Sequence, residues 1–115
     1  MSGMDVQQLS SEFVRKAKST LGSELISLVL YGSAARGTAT SESDVDIFAV
    51  VTDNSNKEKL FDIAAEFLTE GILFSIISET PAELARLIKL KSPFMDIVLK
   101  EGRVLYGQRP DKLRT

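Results

Sequence analysis

The sequence predicts an α/β (α+β) sandwich, a small mixed sheet with helices packed mainly on one face, and three observations carry that expectation. Short apolar runs read as strands, segments with apolar residues at steps of three and four read as helices, and turn-forming residues separate them. The 115 residues suffice for one core, with 43% hydrophobic and 26% charged residues as in ordinary globular domains. No internal repeat, heptad run or linker divides the chain. A single domain is expected over residues 1–107, followed by a polar, loose tail over 108–115.

Val6, Leu9, Phe13, Ala17 and Leu21 share one helical face, so a helix is expected from 5 to 21, with Gly22 as its stop. Leu25 to Tyr31 forms a mostly apolar strand. A short helix can start at Ser33 and run to Arg36 before Gly37 and the Thr/Ser-rich stretch 38–43 break it. Val45 to Val51 is a second strand, apolar on both faces beyond its first carboxylates, so both strands read as covered and central. Asp53 to Asn56 is a turn, and Ser55-x-x-Glu58 resembles a capping box for a helix carrying Leu60, Ile63, Ala64, Phe67 and Leu68 to Gly71. Ile72 to Ser78 is the third strand. Thr80, Pro81 and Glu83 then supply a cap, a first-turn proline and a carboxylate for a helix to Lys91. Ser92-Pro93 restarts a short helix through Lys100, and Gly102 to Gly107 closes the sheet.

Composition removes whole classes of chemistry. The chain has no cysteine and no histidine, which excludes disulfides, thiolate or imidazole metal sites, and Ser-His-Asp or Cys-His hydrolysis. Carboxylates remain as metal ligands, and they suit Mg²⁺ or Mn²⁺. No apolar run approaches the roughly 20 residues of a membrane span, and the start MSGMDVQQLS lacks the regions of a signal peptide, so a cytoplasmic protein is expected. Residues 1–83 hold 6 Lys+Arg against 13 Asp+Glu, a net −7, while residues 84–115 hold 8 against 3, a net +5. Such a basic end can lie near a polyphosphate, an RNA or an acidic partner, or can simply be a solvated helix face and tail. Nothing resembles a basic platform interleaved with aromatics, so nucleic acid is not the expected partner.

The chemistry concentrates in LVLYGSAARGTATSESDVDIFAVV. Strand side chains alternate, so Asp44 and Asp46 point the same way, roughly 7 Å apart by the strand rise. Ahead of them, Gly32-Ser33 opens a segment whose free N–H groups can face a phosphate. No Gly-Lys-Ser/Thr follows Gly32, which leaves a P-loop unsupported, and Asp44-Val45-Asp46 lacks the later glycine and glutamate of an EF-hand.

A strand ending in Gly-Ser, ten intervening residues, then Asp-x-Asp entering a second apolar strand resembles the signature of the polymerase-β-like nucleotidyltransferases. Size and flanking strands resemble the minimal nucleotidyltransferase family, small proteins often paired with HEPN-domain toxins as the antitoxin half of a toxin–antitoxin system. The resemblance implies a metal-dependent enzyme that moves a nucleoside monophosphate, AMP from ATP, onto a hydroxyl, which could belong to a HEPN partner. It implies Asp44 and Asp46 as catalytic residues and Mg²⁺ (or Mn²⁺) ligands. It also implies Gly32 and Ser33 as nucleotide contacts, with Arg36 and Ser43 as further phosphate contacts. At 115 residues there is little room for a separate acceptor domain, so a protein partner or an oligomer of the same chain is expected.

One departure stands out. The family commonly carries a third acid on the strand that here reads Ile72-Leu73-Phe74-Ser75-Ile76-Ile77-Ser78, and the expected position holds Ser75. Glu79 shares the parity of Ser75 but lies about 13 Å further along an extended strand. Two carboxylates and the nucleotide's own phosphates can suffice, with a partner supplying the missing group. Alternatively, the chain binds nucleotide without transferring it and neutralises its partner by complex formation. A third reading is the catalytic subunit of a two-component transferase acting on a small molecule or an RNA end.

Overall fold

The apolar runs Leu25–Tyr31 (β1) and Val45–Val51 (β2) are buried at all but one position each, and their backbones are satisfied by antiparallel pairing with one another. The computed structural model describes residues 6–38 and 44–113. Its sheet has the order β3-β2-β1-β4, so these two strands are the central pair expected from their composition. β3 (Phe74–Glu79) runs parallel to β2, and β4 (Arg103–Gly107) antiparallel to β1. Parallel pairing needs a crossover, and α3 (Asn54–Glu66) provides it.

Alternation divides the strand side chains between two cores. Leu28, Leu30, Val45, Ile47, Ala49 and Val51 join the larger one, covered by α1 (Val6–Leu21) and α3. Within it Phe13 stacks on Phe74 with ring centroids 4.8 Å apart, and Phe67 meets Phe74 edge-on at 5.2 Å. The opposite face is not bare. Val29, Tyr31, Phe48 and Val50 form a smaller core with Leu84 of α4 (Pro81–Lys89) and with Met95 and Val98 of α5 (Pro93–Glu101).

Several local expectations shift. The cap of α3 is Asp53, whose carboxylate accepts from the Asn56 N–H at 3.2 Å, so the Ser55-x-x-Glu58 box does not form. Asn56 then turns inward, its Nδ2 donating to Glu24, Thr52 and Asp53 at 2.8, 3.1 and 3.0 Å. Leu68, expected on the buried side, is exposed. β3 begins at Phe74 rather than Ile72, and its pairing to β2 opens with the Val45 N–H donating to Leu73 O at 2.9 Å. The expected Thr80 cap is present as a full capping box with Glu83. The tail is packed through Leu113 rather than loose: Ser27 Oγ donates to Gln108 O at 2.8 Å, Pro110 is buried, and Leu113 lies against the smaller core. No helix among the described residues is long and apolar enough to cross a membrane.

Because Phe13 is fully buried between two other phenylalanines, Phe13→Ala should lower unfolding free energy by about 3–5 kcal/mol. Leu90→Ala, at a 70% exposed position, should change it by less than about 0.5 kcal/mol, both read from urea titrations.

Candidate active site

The register brings Gly32-Ser33 and Asp44-x-Asp46 to one end of the sheet. β1 ends at Tyr31, whose Cα partner on β2 is Asp46. The chain turns at once into α2 (Gly32–Arg36), which Gly37 closes in the left-handed conformation. Gly32 itself has φ +76°, and a Cβ built there would stand 2.5 Å from Asp46 Oδ2. The left-handed backbone therefore favours glycine, and a Cβ there would force the Asp46 carboxylate aside.

Asp44 precedes β2 and is exposed, whereas Asp46 is half-buried within it. Burial raises the Asp46 carboxyl above its ordinary value, Asp44 raises it further, and the Arg36 guanidinium opposes both. Burial and then the Asp46 charge push the Tyr31 hydroxyl up to about 12. Arg36 is tied to Glu101 at the end of α5, with Nη1 to Oε1 at 2.8 Å. Neither Tyr31 nor Glu101 was recognised from sequence as part of this site. The position of Tyr31 one residue before Gly32 was a usable signal, while Glu101, 65 residues from Arg36, offered none. Ser33 is half-buried, and its carbonyl accepts from the Thr38 N–H at 2.9 Å. Ser43 lies outside the described residues.

The expected gap on β3 is visible in the parallel register, where Ser75 is the Cα partner of Asp46. Glu79 is the partner of Val50, at the other end of the strand. Its carboxyl is raised by burial and then by Glu83, its hydrogen-bonded neighbour. It belongs to a structural cluster in which Lys57 Nζ meets Glu83 Oε1 at 2.7 Å, and not to the Asp46 end. Among the described residues no three acidic side chains converge on a common point for a metal. Two mutually repelling carboxylates still fit a hard divalent cation that completes its shell with water or phosphate oxygens.

Comparison with known proteins places the fold in a family. The family model for polymerase beta nucleotidyltransferases matches residues 15–111. The chain belongs to the polymerase beta nucleotidyltransferase family. Among its relatives is "Putative protein adenylyltransferase MJ1305" of Methanocaldococcus jannaschii, 36% identical over 115 residues that cover 91% of this chain and 76% of that one. Among solved structures, a toxin–antitoxin with AMP-PNP has a TM-score of 0.60 at 19% identity, covering 88% of this chain and 76% of that one. The complex of a tri-AMPylated Shewanella oneidensis HEPN toxin with its MNT antitoxin has a TM-score of 0.52 at 19% identity, covering 92% and 76%. At these identities the two structures establish a shared nucleotidyltransferase fold.

Gly32→Ala should cost roughly 2–4 kcal/mol in unfolding free energy, the sum of a left-handed backbone and an overpacked contact. Part of that loss should disappear in a Gly32→Ala/Asp46→Ala double variant, giving non-additivity of about 1 kcal/mol in a double-mutant cycle. The raised Asp46 carboxyl also sets a pH dependence. Its ionised form is disfavoured in the folded chain, so the destabilisation is full above the folded pKa and absent below the unfolded value of 3.8. Asp46→Asn should therefore be more stable than the parent at about pH 7, with the difference closing toward about pH 3 in urea melts.

Proposed function

We propose that this chain transfers AMP from ATP to a hydroxyl on a partner protein of the HEPN type. The observation that carries the reading is the Asp46 carboxylate seated against Gly32, with Asp44 two residues before it on the same side. Support comes from family membership, from a relative named for protein adenylylation, and from neighbours of the same fold that include an AMPylated HEPN toxin complex.

Each residue has a defined task. Asp44 and Asp46 would hold Mg²⁺ (or Mn²⁺). Once bound, such a cation supplies charge neutralisation on the triphosphate and on departing pyrophosphate. Gly32 keeps the carboxylate and the turn in close contact, and the Ser33 hydroxyl and N–H donate to phosphate oxygens. Arg36 lies close enough to Asp46 to lower its proton affinity, so it can share its charge with a phosphate. Ser43 remains a further phosphate contact. The acceptor oxygen forms a bond to the α-phosphorus as the bond to pyrophosphate breaks, and the hydroxyl proton must leave. Ser75 beside Asp46 cannot take that proton as a carboxylate would, so in this reading acceptor activation would fall to the two aspartates or to the partner.

That same Ser75 favours a second reading, in which the domain binds nucleotide and neutralises its partner by complex formation alone. The full chain with a cognate HEPN partner, Mg²⁺ and α-labelled ATP separates the two. Transfer predicts label on the partner, and Asp44→Asn/Asp46→Asn should lower it by at least about 10²-fold. Binding alone predicts no label and unchanged neutralisation by the double variant. Label transfer indifferent to the double variant would remove these aspartates from the chemistry.

A further inference from the structure

One concave region lies apart from the aspartates, between α1 and the free edge of β4. A cavity of about 530 Å³ is lined by Val6, Ser10, Val14, Leu30, Leu105 and Arg103, among others. It continues, through shared Ser11 and Val14, into a second of about 540 Å³ reaching Lys18 and Ser19. β4 is the last strand of the sheet, and no backbone hydrogen bond from 103–107 to anything beyond β1 occurs among the described residues.

We infer that the α1–β4 groove accepts an extended, acidic peptide segment of another protein, which adds a strand to β4. Dimensions support a peptide over a small molecule. Val6 to Lys18 spans roughly 18 Å along a helix, and five strand residues cover roughly 17 Å. Side chains facing the larger core would fall on Val6, Val14 and Leu105, which pack only partly against it. Ser10 offers a waiting polar contact: it is 7% exposed, and its hydroxyl has no hydrogen-bond partner among the described residues.

Charge selects the partner's sign. Arg103 has no ion pair among the described residues, and Lys18 Nζ sits 5.3 Å from the Tyr106 ring centroid without a carboxylate partner there. A cation therefore stands near each end of the groove. A second copy pairing through β4 would crowd these like charges together, whereas an acidic strand would answer both. The inference does not rest on the nucleotide reading: the cavity reaches Ala34 and Gly37 at the α2 turn, but Asp46 lies on the sheet face opposite Leu105.

The test is selection of displayed random heptapeptides on the full chain, followed by amide exchange with a synthesised winner. Expected are sequences with alternating apolar residues and acids toward the ends, slowed exchange at 103–107, and at least tenfold weaker binding to Arg103→Glu. Arg103→Lys should retain binding, and replacing only the peptide acid at the Arg103 end with lysine should restore binding to Arg103→Glu. The inference falls if no sequence rises above background, if winners ignore Arg103→Glu, or if protection appears at β3 instead. It also falls if a concentration-dependent dimer already protects 103–107.

Discussion

The proposed site depends on one contact, the Asp46 carboxylate lodged where a Cβ would stand on Gly32. That contact requires β1 and β2 to pair antiparallel with Tyr31 opposite Asp46, since a one-residue slip would turn the carboxylate into the larger core. Register is enforced from below by the fully buried Leu28, Ile47, Phe48 and Val50, which leave the ladder no alternative face to present. The same cores that stabilise the fold thereby set the position of a charge.

Placing that charge has an electrostatic consequence. Asp46 is disfavoured as an anion by burial and by Asp44, and only Arg36 offsets this. Arg36 in turn is shared with Glu101, which links the end of α5 to the aspartates through one guanidinium. A cation would relieve the repulsion between the aspartates, and a phosphate would compete with Glu101 for Arg36. Two carboxylates beside Ser75 leave a local excess of negative charge that a bound cation would offset, as the proposed function requires.

The central part of this arrangement was legible in the sequence because it is local. Gly32-Ser33, ten residues and Asp44-x-Asp46 lie within one hairpin-like unit, and Ser75, the residue expected where a third acid would sit, is the register partner of Asp46. What escaped was non-local or competitive. Ser55 and Asp53 are both capping residues, and the backbone chose Asp53, which also anchors the buried Asn56. The covering of the second sheet face by α4 and α5, and the packing of Pro110 and Leu113, depend on long-range burial that a polar tail sequence does not announce. Glu101 reaches Arg36 only because α5 returns to the sheet end. Ser43 was chosen by proximity to the motif and lies outside the described residues.

The most direct measurement is a crystal of the full chain grown with Mn²⁺ and a non-hydrolysable ATP analogue, with the metal located by its anomalous scattering. Manganese should be bound by Asp44 and Asp46, with phosphate oxygens completing its shell, no ligand from β3, and the triphosphate beside Gly32 and Ser33. Manganese held elsewhere, or a nucleotide bound away from Gly32, would contradict the assignment of this end of the sheet as the active site.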